Sequence, residues 1–464
     1  MSSRYVLFWF DVEDCTVTQS DDAAKLLAEI LIRHGIRGTM KVVGQKARML
    51  RERVRYDVID ALAKHAIGYH TNWHGGRPQP AEYLGPLGWE EGQAEFARRE
   101  APGLDDLRDL WGVTPVCYGQ PGSNWAPQVF PVLRRWHIPT YVSGFGYVGL
   151  HAQPFYYGGM VNTSHMFGPD RQGRPVSHAF GLNFELGEPG VLDEHRRLFA
   201  QSFNALEDGG MISIMNHPCT LVLREWFSTD LKSPAQIAAG YEHFEEFIRH
   251  VANHPQVRCI TADELPALYP DRANGRVFGR EELLTLATAV GEEVYFQQQG
   301  NLALSAAELL GMFVRFLERE LLDGPAPGEV GVYLDGPAAS PSATVRELCV
   351  SGSALAQAVL QAAAFLRRHG RLPDALTVAG QQVSLAAAYC GLARVVAGVI
   401  RGERWPHSLR LTPAGERLTE HVDEAAAHSA WRSVMMLPGF SATGLLEQAR
   451  LQAWTLKPAI LRPR

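Results

Sequence analysis

The sequence has no cysteine pattern of the kind that metal knuckles and disulfide frameworks require. Its six cysteines, Cys15, Cys117, Cys219, Cys259, Cys349 and Cys390, are scattered without a CxxC pair or a short regular spacing. That scatter argues against both and fits thiols kept reduced in a cytosol. No apolar run approaches the roughly 18 residues of a membrane span, so none is expected. A basic stripe is missing as well: 44 lysines and arginines against 50 aspartates and glutamates leave a formal net charge of −6. Neither nucleic acid nor an anionic membrane surface is therefore an expected partner. The opening MSSRYVLFWFDVED meets acid after one short apolar stretch, too soon for a secretory core, and the expected location is cytoplasmic.

What is present is enough apolar residue, 46% of 464, for more than one core. From residue 4 to about 275, short apolar runs alternate with amphipathic segments: RYVLFWF, DDAAKLLAEILIRHG, RGTMKVVG, RYDVIDALAKHA, IGYHT. Later, DEHRRLFAQSFNALEDGG precedes MISIMNH, and YEHFEEFIRHVANHP precedes VRCITADEL. Repeated βα units of this kind imply a parallel sheet or barrel. Residues 145–190 show no helical period and are expected to form strands or loops over one end. After the polar link LYPDRANGRVFG the chain turns helical and rich in Ala and Leu. The expected division is 1–272, a barrel, and 273–464, a helical domain of two weakly related lobes. The relation is carried by LALSAAELLGMFVRFLERELLDG (302–324) and QVSLAAAYCGLARVVAGVIRGE (382–403), each with an early serine followed by helical apolar spacing.

Three pieces carry chemistry. GYHTNWHG places His70 and His74 four apart, a spacing that on a helical turn puts both imidazoles within reach of one divalent ion. The plain alternative is two partly exposed histidines at a strand end. FWFDVEDC puts Asp11, Glu13 and Asp14 at the end of an apolar strand, on the rim where barrel sites gather. Carboxylates crowded there repel one another unless a cation or a shared proton relieves them. A zinc-type ion held by one carboxylate and two imidazoles does so, leaves a position for water, and frees another carboxylate to act as base. MISIMNHP brings His217 to the same rim, where it is either a solvated loop histidine or a proton donor.

In this order the pieces resemble the polysaccharide deacetylase, or NodB-homology, family over roughly residues 4–270. FDVED is similar to the first family motif, HTNWH to the second, YGQPGSNW to the third and SIMNHP to the late histidine motif. The resemblance implies a distorted (β/α) barrel with one divalent metal, zinc by preference, and hydrolysis of an amide C–N bond. It implies Asp11 as base, His70 and His74 as metal ligands, Thr71 as their supporting hydroxyl and His217 as general acid. Strand alternation makes Glu13 the first choice for the acidic ligand, with Asp14 a close competitor where the chain turns. The third motif aligns Gly119 where the family has an arginine that orients the base. Gln120 is a neutral stand-in at best, and the gap leaves room for a substrate group. Pro121 and Gly122 are in place. A backbone N–H near Tyr118 and Gly119 is expected to hold the oxyanion.

Trp73, Tyr118, Gln120, Pro121, Gly122 and Trp125 are the candidate substrate contacts, and Trp9, Phe155, Tyr156 and Tyr157 are further aromatic residues near the motifs. Cys219, two residues past His217, has no base partner indicated, so a thiol nucleophile is not expected. The expected activity is N-deacetylation of a small N-acetylated sugar or glycan precursor. The rivals are a small-molecule amidohydrolase of the ureide or cyclic imide type and a catalytically silent binding module. In the second half, FLRRHGRLPDALTVAGQQVSLAAAYCGLARVV is weakly similar to pseudomurein-binding repeats, which would imply a glycan-binding role; a scaffold or a homo-oligomer contact is the alternative. The last residues read as a solvated basic tail.

Overall fold

The computed structural model describes residues 4–461 except 145, 227, 342, 343, 346 and 424–435. Its centre is β1 (Arg4–Val12), an apolar run buried on both faces, as parallel strands under helices are. Alternation sorts its side chains. Val6, Phe8, Phe10 and Val12 join the core beneath the helices. Leu7 and Trp9 join a second cluster with Cys117, Val142, Val161, Met211 and Ile260, drawn from strands all round the sheet, which marks its interior. Asp11 continues that inward set.

On one side of β1 follow β2 (Thr39–Val42), β3 (Ala66–Tyr69), β4 (Cys117–Tyr118) and β5 (Thr140–Tyr141), all parallel. β6 (Phe155–Tyr157) lies antiparallel to β7 (Met160–Asn162), and β7 is parallel to β5. A separate hairpin, β8 (Phe167–Pro169) with β9 (Pro175–Ser177), stands beside them. On the other side lie β10 (Ala179–Gly181) and β11 (Met211–Asn216). β12 (Val257–Ile260) pairs with the first half of β1, Arg4–Leu7, while β2 pairs with Trp9–Val12. The eleven-stranded sheet is curled and, among the described residues, is not hydrogen-bonded shut, the expected distorted barrel.

The crossovers are α1 (Gln19–Arg33), α2 (Gly44–Glu52), α3 (Tyr56–Leu62), α4 (Pro80–Leu84), α5 (Trp89–Trp111), α6 (Val129–Arg135), α7 (Val191–Ala205) and α8 (Pro234–Ala252). Singly or in pairs they return the chain to begin the next parallel strand, so the carboxyl ends of β1, β2, β3, β4 and β11 open on one rim. No helix among the described residues is long and apolar enough to cross a membrane.

Beyond α9 (Leu265–Leu268) come α10 (Arg280–Ala289), α11 (Ala306–Leu322), α12 (Gly352–His369) and α13 (Leu385–Ile400). Two of these helices share a local lead-in. A two-stranded hairpin, Gln297–Gln299 with Leu302–Leu304, precedes α11, and another, Leu376–Val378 with Gln381–Val383, precedes α13. Ser305 and Ser384 cap the two helices through their side chains. The chain end differs from a solvated basic tail. Lys457–Pro458 adds an antiparallel strand to β6, and Lys457 is buried between Asp271 (2.8 Å) and Glu308 (2.7 Å). A lysine can be buried there because two carboxylates compensate its charge. Arg462 and Arg464 lie outside the described residues.

Candidate active site

Asp11 ends the inward set of β1, Glu13 follows it, His70 follows β3 and His217 follows β11. The rim brings them together. Glu13 Oε2 lies 3.2 Å from His70 Nε2 and 3.0 Å from His74 Nε2. Asp11 Oδ2 lies 3.4 Å from His217 Nε2, and Asp11 Oδ1 lies 3.6 Å from His70 Nδ1. The ligand atoms of Glu13, His70 and His74 all fall within 4.8 Å of one another, as do those of Asp11, Glu13 and His217.

His70 and His74 are not on a helix. Their shared face comes from a tight turn in which Thr71 adopts φ 68°, costly for a β-branched residue and held by its surroundings. Thr71 Oγ1 donates to the His70 carbonyl, and the amides of Gly44 and Gln45 donate to the carbonyls of Thr71 and Asn72 at 2.9 Å each. On the other flank Glu100 of α5, buried, accepts from the Asn72 amide (2.6 Å) and from Tyr69 Oη (2.8 Å). Burial pushes the Glu100 carboxyl up to about 7, against those hydrogen bonds.

The donor set fits a divalent ion. The Gly119 carbonyl can only accept, so His70 Nδ1, 2.7 Å away, carries the proton and Nε2 presents a lone pair. Burial holds His70 below the ordinary histidine range despite Asp11 nearby, so this lone pair faces a carboxylate oxygen. Burial also opposes charge on Glu13, but His74 and His217 outweigh it and keep its carboxyl well below the usual range. Burial likewise works against a charged His74, and Glu13 overcomes it, raising the imidazole. One carboxylate oxygen between two imidazole nitrogens is an arrangement a zinc-type cation relieves.

Lys41 is a member of the site that the motifs do not reveal. It is fully buried, its Nζ stands 2.8 Å from Asp11 Oδ1 and 3.9 Å from the centre of the Trp9 ring. The approach to Oδ1 is an ion pair at an angle that makes no hydrogen bond. Register puts Asp11, Lys41 and Gly68 side by side on β1, β2 and β3. A Cβ on Gly68 would fall 2.9 Å from Lys41 Cγ, and one on Gly119 would fall 2.5 Å from Lys41 Nζ and against the Val142 carbonyl. The absent arginine thus does not leave room for a substrate group; Lys41 fills that space. The only sequence signal is a lysine inside the apolar strand TMKV.

His217 is oriented by Asn183. Asn183 Oδ1 receives the His217 backbone amide at 3.2 Å, which fixes the atom as oxygen, so His217 Nδ1, 3.0 Å from it, must be a donor. Its Nε2 is left toward Asp11. Trp226, exposed, packs edge-on against the His217 ring with centroids 4.8 Å apart. Burial first, then Glu13 and Asp14, push the Cys219 thiol well up, consistent with no nucleophilic thiol.

Several expected contacts are placed elsewhere. Asp14 is in neither cluster: its carboxylate accepts from Thr16 N (3.3 Å), Thr16 Oγ1 (2.6 Å) and Val17 N (3.4 Å), because β1 has ended and the chain turns there. Tyr118 and Trp125 are fully buried in aromatic packing, Tyr118 against Tyr69, Phe96 and Tyr141, Trp125 against Phe130, Tyr147 and Tyr157. Gln120 is buried, receiving Tyr141 Oη (2.6 Å) and donating to the Gly122 carbonyl (2.9 Å). Pro121 is buried and accepts from Asn124, so this segment with Gly122 is a turn bonded to itself. The Gly119 amide is spent on the Tyr69 carbonyl and holds no oxyanion. Trp73 is the one expected aromatic contact on the surface, with the Arg48 guanidinium 4.8 Å over its ring.

No family model matches the chain, and no curated protein does. Solved structures similar to it include a polysaccharide-deacetylase-type protein from Mycobacterium smegmatis: 19% identity, TM-score 0.35, covering 55% of this chain and 86% of that one. A 4-alpha-glucanotransferase from Thermococcus litoralis shares 14% identity at TM-score 0.41, covering 71% of this chain and 49% of its own. A family 4 acetyl xylan esterase from Clostridium thermocellum, in complex with a cobalt ion, shares 15% identity at TM-score 0.30, covering 57% and 91%. At such distances the chemistry has to be read from the site itself.

Proposed function

We propose that the chain is a metal-dependent hydrolase of amide C–N bonds, acting on an N-acetylated sugar or glycan precursor. The observation that carries the reading is Glu13 Oε2 set between the Nε2 atoms of His70 and His74, beside the Asp11–His217 pair. Glu13, His70 and His74 would hold the ion; when bound, it supplies a polarised amide carbonyl and a water of lowered pKa. Asp11, fixed by Lys41, accepts a proton from the attacking water as its oxygen bonds to the carbonyl carbon. The C–N bond breaks, and His217, whose Nδ1–H is committed to Asn183, delivers the Nε2 proton to the departing amine. A carboxylic acid and an amine result.

The silent-barrel rival draws its support from a missing arginine, and Lys41 in that space weakens it. For residues 273–464 the packing favours a scaffold role over glycan binding. Their last strand extends the barrel sheet, and Glu308 shares Lys457 with Asp271. The test is metal analysis followed by product assay. Purified protein should hold one equivalent of divalent ion, retained in Asp11→Asn and lost in His70→Ala. Metal-loaded protein should release acetate from N-acetylated sugars rather than ammonia or ring-opened product from imides and ureides. Protein that binds no metal, or full turnover in His70→Ala, ends the reading.

A further inference from the structure

Behind His217 lies a group of titratable side chains that the chemistry above does not use: Glu185, His195 and His243, the two histidines buried between α7 and α8. A backbone anchor fixes every proton in it. The Gly187 amide donates to His243 Nδ1 at 3.1 Å, so that nitrogen is bare and His243 is neutral with its proton on Nε2. His243 Nε2 then donates to His195 Nδ1, 3.1 Å away. His195 is therefore neutral too, and its own proton sits on Nε2, facing Glu185 Oε1 at 3.4 Å. Glu185 Oε1 also receives the Asn183 amide at 2.6 Å. Asn183 Oδ1 in turn receives the backbone amide and the Nδ1–H of His217.

The turn carrying Asn183 is pinned on the same side. A Cβ on Gly187, at φ 91°, would fall 2.8 Å from the Gly240 nitrogen of α8. Lys232 Nζ donates to the Phe184 carbonyl at 2.8 Å. We propose that Glu185 and His195 are positioning residues, which hold Asn183 and through it keep the Nε2 of His217 aimed at Asp11. The string is not a proton path, because the Asn183 amide oxygen accepts from His217 and passes nothing on. It sets an orientation.

The proposal rests on His217 being the general acid only for its effect on turnover; the orientation itself can be read without substrate. In the full chain with nitrogen-labelled histidine, NMR should show a slowly exchanging His217 Nδ1–H. That signal should broaden away in Glu185→Ala and in His195→Phe. It should persist in His195→Gln, whose amide can accept from His243 and donate to Glu185. On a substrate that is turned over, kcat should fall about 10- to 100-fold in the first two variants, with KM and metal content unchanged, and recover in the third. Glu185 is part-exposed, so its variant keeps the test open should His195→Phe fail to fold. A His217 Nδ1–H unaffected by Glu185→Ala overturns the proposal, as does equal loss in His195→Phe and His195→Gln. Should no amide be hydrolysed at all, the hydrolase reading falls while the NMR result still decides this one.

Discussion

Lys41→Met is the sharpest perturbation of the site. Methionine keeps the length of the side chain and removes its charge, leaving Asp11 Oδ1 in the barrel interior with nothing cationic at 2.8 Å. Breaking a buried pair by removing one partner costs about 3–5 kcal/mol. The contact with the Trp9 face adds on the order of 1 kcal/mol. A loss near 4 kcal/mol is a large share of the roughly 5–15 kcal/mol that holds a domain folded. Asp11→Asn alone strands the ammonium instead, and the double variant strands neither. The coupling energy from the cycle should therefore be about 3 kcal/mol, with the double variant more stable than the sum of the singles predicts. Urea denaturation followed by tryptophan fluorescence measures it, since Trp9 reports on the pair directly. Strictly additive losses would show that Lys41 and Asp11 do not act on each other. A Lys41→Met protein as stable and as active as the parent would refute the argument altogether.

Asp14→Ala should keep its full metal equivalent, while His74→Ala loses it; loss in Asp14→Ala would return that residue to the ligand set. A stability effect follows from His65, buried between the Ala28 carbonyl and the Gly38 amide, where burial lowers it to about 4. Between its ordinary value near 6.5 and about 4 the unfolded chain binds the proton and the folded one does not, so stability falls as pH drops through that window. His178 and His243, also lowered by burial to about 4, act in the same direction. His65→Gln should flatten part of the slope of urea midpoint against pH, and parallel slopes in the two proteins would count against it.

Much of this was readable without coordinates because it is periodic or local. The βα alternation follows from burial on both faces of parallel strands, and a histidine directly after an apolar run sits on the rim by construction. What escaped depends on register and packing. Lys41 meets Asp11 because β1 and β2 align those two residues and because Gly68 and Gly119 clear a path, neither of which a single sequence displays. Asp14 looks like a ligand until the strand is known to stop at Val12, after which its carboxylate is consumed by the next amides. Trp125 and Tyr118 belong to the YGQPGSNW motif and look available to a substrate, but rings from five other elements close over them. Lys457 is basic and near the chain end, yet two acids more than 140 residues upstream bury it.

His70 and His217 make the division of labour within the site intelligible. Both give Nδ1–H to an oxygen that can only accept, the Gly119 carbonyl for one and Asn183 Oδ1 for the other. Both therefore turn Nε2 inward, to Glu13 and to Asp11. The difference is access. His70 is wholly enclosed, where burial favours the neutral ring and a lone pair suited to a metal. The His217 side chain keeps 15% of its surface open, beside an exposed Trp226, where a leaving group can reach it and a proton can be replaced from solvent. The same Nδ1–H anchor at two depths thus suits the proposed pair of roles: the enclosed Nε2 is a lone pair for a metal, and the open Nε2 is one that can take up a proton and pass it to a leaving group.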